Sequence, residues 1–163
     1  GCGKGEITKG VQQASCDIKI TGIDVIKRKN AAIDVIEFDG KKIPFKDKSY
    51  DFTMLVDVLH HSDDPVALMK ECVRASRKFI IILDHICNSK WDRVRLCFMD
   101  WVGNLGYDAR LPHNFLSKNK WKELFRTVNV LCEDEIYKLN LYPPLFYYLF
   151  NDKLHFAARL III

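Results

Sequence analysis

The sequence predicts an α/β domain, doubly wound around a mainly parallel sheet that closes with an antiparallel hairpin at its C-terminal end. Three observations carry this. Two early runs rich in β-branched residues, "DIKITGIDV" (17–25) and "AAIDVIEFD" (31–39), precede two nearly continuous apolar runs, "YDFTMLVDVL" (50–59) and "KFIIILDHI" (78–86). Strands of the last kind are buried on both faces, as in a parallel sheet covered by helices. Helical signals alternate with them, and the final third reads as two strands, "VNVLCEDEIYKLN" and "LHFAARLIII".

The elements follow in order. Residues 5–15 form a helix directly after "GCGKG". Asp64-Pro65 supplies an N-cap and a proline at the first helical position, and Val66, Met69 and Val73 then make an apolar stripe. In "SKWDRVRLCFMDWVGNLG" (89–106), Trp91, Val94, Phe98, Trp101, Val102 and Leu105 share one helical face, expected to pack as core or as a lid. Ser117 caps a further helix that turns Trp121, Leu124, Phe125 and Val128 inward. The two last strands are joined through "YPPLFYYLF" and an Asn151-Asp152-Lys153 turn. No repeat, low-complexity tract or linker interrupts the chain, so residues 1–163 are expected to be a single domain.

Composition narrows the function classes. The 163 residues are 48% hydrophobic and 28% charged, with a net charge of +4. The basic residues are scattered among apolar strands, which fits a solvated rim and not a nucleic-acid-binding stripe. Six cysteines at 2, 16, 72, 87, 97 and 132 form no C-x-x-C pair and read as reduced thiols, which predicts a cytoplasmic protein. No apolar run reaches the ~20 residues that span a bilayer.

Four features share the sheet edge formed by the carboxyl ends of the strands, where open α/β sheets bind ligands. The first is the G-x-G-x-G run of "GCGKG", entering a helix N-terminus; its glycines let a ligand lie against backbone amides. Glu6 stands where a dinucleotide-binding fingerprint needs its third glycine. The second is Asp24, about 20 residues on, placed to accept from ribose hydroxyls. The third is Asp39-Gly40, and the fourth is "VDVLHHSDDP" with Asp57, His60 and His61. Asp84 and His85 end the next apolar run.

"GCGKG", "GID" (22–24), "FDG..IPF.D.SYDF" and "VDVLHHSDDP" together resemble the motif set of the class I S-adenosylmethionine-dependent methyltransferases. The match is closest to the ubiquinone/menaquinone-biosynthesis branch, and "LDH" and "FMDWVGN" are similar to a bacterial subgroup of it. The resemblance implies a Rossmann-like sheet and S-adenosyl-L-methionine as cofactor. It assigns Gly1, Cys2, Gly3 and Gly5 to the methionine end, Asp24 to the ribose, Asp39 and Gly40 to the adenine, and Val56 and Leu59 to the methionine moiety.

Two departures follow. The link "VIKRKNA" is shorter than the family's crossover helix. The family's first strand, ending in D-x-G, is missing ahead of Gly1; the chain is thus expected to be N-terminally truncated, its two half-sheets lacking their central partner.

Methyl transfer is an in-line displacement in which positioning dominates. His60, His61, Asp84 and His85 are the candidate catalytic residues where the acceptor must lose a proton. A metal set of His60, His61, Asp63 and His85 lacks any ligand spacing such as H-E-x-x-H, so no metal is expected. Tyr107, His113, Tyr142, Tyr147 and Tyr148 are candidates to line a pocket for a small-molecule acceptor. The alternatives are a degenerate, non-catalytic nucleotide-binding domain and a nicotinamide-dependent oxidoreductase. Oligomeric state is open.

Overall fold

The computed structural model describes residues 1–15, 17–105, 112–137, 139, 141 and 152–163. Its elements run α1 (Glu6–Ala14), β1 (Gly22–Asp24), β2 (Val35–Glu37), β3 (Tyr50–Val56), α2 (Pro65–Ala75), β4 (Ser76–His85), α3 (Lys90–Gly103), α4 (Lys118–Thr127), β5 (Val130–Ile136) and β6 (His155–Ile162). A 3-10 turn, Leu59–His61, follows the end of β3 on the way to α2, and a second, Asp152–Leu154, precedes β6. The caps read from the sequence are in place: Asp64 accepts from Ala67 N and Ser117 from Lys120 N; the structure adds Ser89, which accepts from Asp92 N.

The strands form two sheets. One is the parallel pair β1-β2, and the other has the order β3-β4-β6-β5. β3 and β4 are parallel, and β6 runs antiparallel to both β4 and β5, giving the expected C-terminal antiparallel closure. Between β1 and β3 lies a cleft of about 750 Å³, lined by both strands and by Gly1–Gly3. Among the described residues β1 pairs with β2 and β3 with β4, each on one side. Tyr50 Oη reaches Thr21 Oγ1 across the cleft at 3.2 Å.

This split corrects two expectations. Residues 17–21, read as the start of a strand, join no ladder; Ile20 O is held instead by Gln12 Nε2 at 3.2 Å. β3, read as buried on both faces, buries only Leu55 fully, because its free edge borders the cleft. The link 25–34 carries no helix, as its shortness predicts, and turns at Asn30 with φ 60°.

The main core lies on the four-stranded sheet. Ile80, Ile82, Phe156 and Leu160 from β4 and β6 meet Leu68, Met69 and Cys72 of α2 and Trp121, Leu124 and Phe125 of α4. Leu96 of α3 packs with Phe115 and Leu154 in a smaller cluster. The apolar stripe of α3 is a correction: Trp91, Val94, Phe98, Trp101, Val102 and Leu105 are all exposed, and the helix buries its opposite face through Leu96 and Asp100. Arg74 on α2 ties the segment between the sheets, donating to Ile43 O, Phe45 O, Glu71 and Asp47.

Candidate functional site

The glycine loop is clasped to the end of β1. Gly3 N donates to Asp24 Oδ2 at 2.7 Å, Ile26 N donates to Asp24 Oδ1 at 3.1 Å, and Cys2 N donates to Ile23 O at 2.9 Å. Asp24 is thereby buried, with both oxygens engaged and lone pairs to spare for further donors.

The three loop glycines serve different ends. Gly5, at φ 74°, is the N-cap of α1, and a Cβ there would lie 2.2 Å from Ile33 Cγ1. A Cβ on Gly1 would meet Val58 at 2.7 Å. Gly3, at φ 56°, has open space where its Cβ would be. Packing thus demands glycine at 1 and 5, whereas at Gly3 bare backbone faces a space a ligand can enter. Those features suit a nucleoside-type cofactor beside the loop.

Asp39 sits exposed after β2, holding its own turn by accepting from Lys41 N and Lys42 N at 2.8 Å each, which lowers its pKa. Gly40 takes φ 74° there, against Val25. Val56 lines the cleft. Leu59 has its side chain in the main core, and its N–H donates to Asp84 Oδ2 at 3.0 Å.

The four candidate catalytic residues converge. His60 Nδ1 donates to Asp84 Oδ1 at 2.7 Å, and His85 Nδ1 lies 3.3 Å from His60 Nδ1. Asp84 is fully buried; burial would raise its pKa, but the contacts with His60 and His85 outweigh that and hold it low. Burial likewise works to lower His60, and the hydrogen bond and charge of Asp84 overcome it and raise the pKa. His155 on β6 stacks near His85, with ring centroids 4.5 Å apart, and burial drives its pKa down to about 3.

The sequence reading missed Asp100. It is a buried carboxylate on α3, and His60, His61 and His113 all turn Nε2 towards it at 3.6–3.8 Å. The available signal was a lone acid inside the apolar stretch "LCFMDWV". All five histidines of the chain thus gather near this end of the sheet. Asp63, from the metal set weighed above, is in neither of the groups of potential ligands found among the described residues. Tyr107, Tyr142, Tyr147 and Tyr148 lie outside the described residues.

The family model described as "Methyltransferase domain" matches residues 1–79, which hold the glycine loop, Asp24, Asp39 and the His60–His61 turn. Residues 1–79 are thus similar to a methyltransferase domain. The fold agrees along the whole chain. An S-adenosylmethionine-dependent methyltransferase from Aquifex aeolicus is 14% identical with a TM-score of 0.66; the alignment covers 100% of this chain and 79% of that one. The [4+2]-cyclase SpnF is 15% identical with a TM-score of 0.68, over 99% of this chain and 72% of the other. LepI, solved in complex with S-adenosylmethionine, is 13% identical with a TM-score of 0.63, over 100% and 41%. The curated proteins include no match to the sequence. The chain therefore has the Rossmann-like α/β fold that the Aquifex methyltransferase and the cyclase SpnF also have. Among the described residues no helix is long and apolar enough to cross a membrane.

Proposed function

We propose that this chain transfers a methyl group from S-adenosyl-L-methionine to a small-molecule acceptor. The observation that supports the reading is the clasp between Asp24 and Gly3, which puts a carboxylate and an open stretch of glycine backbone on one sheet edge. In this reading Gly1, Cys2, Gly3 and Gly5 hold the methionine end of the cofactor, with Val56 beside it. Asp24 takes the ribose hydroxyls on its remaining lone pairs, and Asp39 with Gly40 borders the adenine. The bound cofactor supplies an electrophilic methyl group on a sulfonium.

The protein's part is orientation and exclusion of water, which can account for roughly 7–11 kcal/mol of barrier lowering in well-held reactions. Where the acceptor must lose a proton, His85 is the candidate that reaches solvent, with a side-chain exposure of 10%. Asp84 is buried beside it, with Oδ1 3.5 Å from His85 Nδ1. The finer placement in the ubiquinone/menaquinone-biosynthesis branch rests on the motifs alone.

Calorimetric titration of S-adenosylmethionine, with NADH as the competing ligand class, tests the reading. Binding of S-adenosylmethionine alone is expected, with Asp24→Ala weakening it at least tenfold, or about 1.4 kcal/mol. Binding of NADH instead, or no effect of Asp24→Ala, would overturn it.

A further inference from the structure

We propose that His60, His61 and Asp100 are the donors of a divalent transition-metal site, with His113 beside Asp100. His60 Nε2 and His61 Nε2 stand 3.8 and 3.6 Å from Asp100 Oδ1, and His113 Nε2 stands 3.8 Å from Asp100 Oδ2. The donor atoms of His60, His61 and Asp100 all lie within 4.8 Å of one another. Separations of 3.6–3.8 Å are too long for hydrogen bonds. They are close to the roughly 3.3–3.6 Å between ligand atoms arranged tetrahedrally at about 2.0–2.2 Å from one ion.

A second observation points to the same place. Asp100 has a side-chain exposure of 3%, and its Oδ2 has no hydrogen-bond partner. Oδ1 accepts from Asn104 Nδ2 at 2.8 Å, which fixes the carboxylate without neutralising it. A buried carboxylate left this way is costly unless a cation meets it.

The surroundings are those of a metal-ligating histidine. His60 donates its other ring nitrogen, Nδ1, to Asp84 Oδ1 at 2.7 Å, and Asp84 is itself held by Leu59 N and His85 N. A carboxylate behind the imidazole fixes the ring and leaves Nε2 as the free donor. His113 Nδ1 lies 3.3 Å from Cys97 Sγ, and its backbone sits at φ 54°, a strained conformation for a non-glycine residue. Asn114 N donates to His60 O and Asn114 Nδ2 to Ser62 O, so the loop carrying His113 is pinned to the turn carrying the other two histidines. Phe115 stacks on His60 at 5.4 Å between centroids and helps keep the site dry.

The neighbouring group of Asp57, His60, Asp84 and His85 is equally compact, but a proton already occupies it. His60 and Asp84 meet there at hydrogen-bond length, and both Asp84 oxygens accept backbone N–H groups. That group supports the ion site instead of binding the ion. Imidazole nitrogens with one carboxylate favour Zn²⁺, Fe²⁺ or Co²⁺ over Mg²⁺.

The test is independent of the methyl-transfer reading because it uses metal alone. Purified protein is dialysed against Zn²⁺, Co²⁺ or Mg²⁺, with bound metal measured by mass spectrometry and the Co²⁺ form by visible absorption. One equivalent of Zn²⁺ with submicromolar affinity is expected, along with intense visible bands for low-coordinate Co²⁺ and no uptake of Mg²⁺. Asp100→Asn and His61→Gln should each weaken Zn²⁺ by at least tenfold, while Asp57→Asn binds as the parent does. His61 is at the surface of the site, so His61→Gln decides the matter should Asp100→Asn not fold. No Zn²⁺ uptake, uptake unchanged by His61→Gln, or uptake abolished by Asp57→Asn would each overturn the proposal.

Discussion

The pair β1-β2 and the sheet β3-β4-β6-β5 both come from short runs of β-branched residues, yet they are held by different means. The four-stranded sheet is stabilised by apolar burial, with Ile80, Ile82 and Leu160 fully enclosed between α2 and α4. The two-stranded pair buries little beyond Val35 and depends on polar fastenings: Asp24 to Gly3, Tyr50 to Thr21, and the Arg74 clamp on residues 43–47. Apolar burial makes a cooperative unit. A few hydrogen bonds beside a cleft leave a unit able to open locally. The glycine loop belongs to the second kind and the histidine cluster to the first.

The largest expected effect breaks the strong side of the comparison. Phe156→Ala removes a ring that packs against Trp121 at 5.0 Å and is 2% exposed, and should cost about 3–5 kcal/mol by urea unfolding. Amide exchange should accelerate in both sheets. A loss confined to β6 would show that the four strands are not one unit.

On the weak side, Gly5→Ala forces φ 74° on an alanine and drives its Cβ into Ile33. A cost of about 1–3 kcal/mol is expected, read as faster amide exchange in β1 and β2 while β4 keeps its protection. Equal acceleration in β4 would make the two sheets one cooperative unit.

The pH dependence comes from the strong side. His155 is held at about 3 by burial and by His85, against an ordinary 6.5. Below pH 6.5 the unfolded chain therefore takes up a proton that the folded chain refuses. This group costs nothing above pH 6.5, and below it stability falls by up to about 1.4 kcal/mol per pH unit. Asp84, held low, adds a loss in the same direction below pH 3.8, while His60, held high, opposes the trend. His155→Phe should flatten the decline in urea midpoint between pH 7 and 5; an unchanged slope would assign it elsewhere.

Gly3→Ala should have the smallest effect on stability, about 1 kcal/mol of backbone strain with no clash. It should nonetheless weaken S-adenosylmethionine more than Gly5→Ala does at matched folding. The reverse order would move the cofactor away from the loop centre.

How much was legible in the sequence differs between these regions. The helix caps at Asp64 and Ser117 and the strands 50–59 and 78–86 are local signals, and they survive in the fold with bounds shifted by a few residues. The α3 stripe was a sound reading of periodicity, but periodicity gives a face without its partner, and the buried face is the one with Leu96 and Asp100. His60, His61, Asp84 and His85 were visible as polar residues at strand ends. Asp100 was not, and His113 was read only as a pocket-lining candidate, because they reach the cluster from α3 and from the loop that leads to α4.

The sequence by itself determined the alternation of strands and helices, the capped helix ends, the G-x-G-x-G loop and the acid at Asp24. Each of these is written within a few residues, where backbone propensity and hydrogen-bonding capacity act locally. Only the tertiary structure decided that Leu59 faces the core and that three imidazoles close on one buried carboxylate. Those outcomes depend on which surfaces meet, and the meeting residues are far apart in the chain, as with His61 and Asp100.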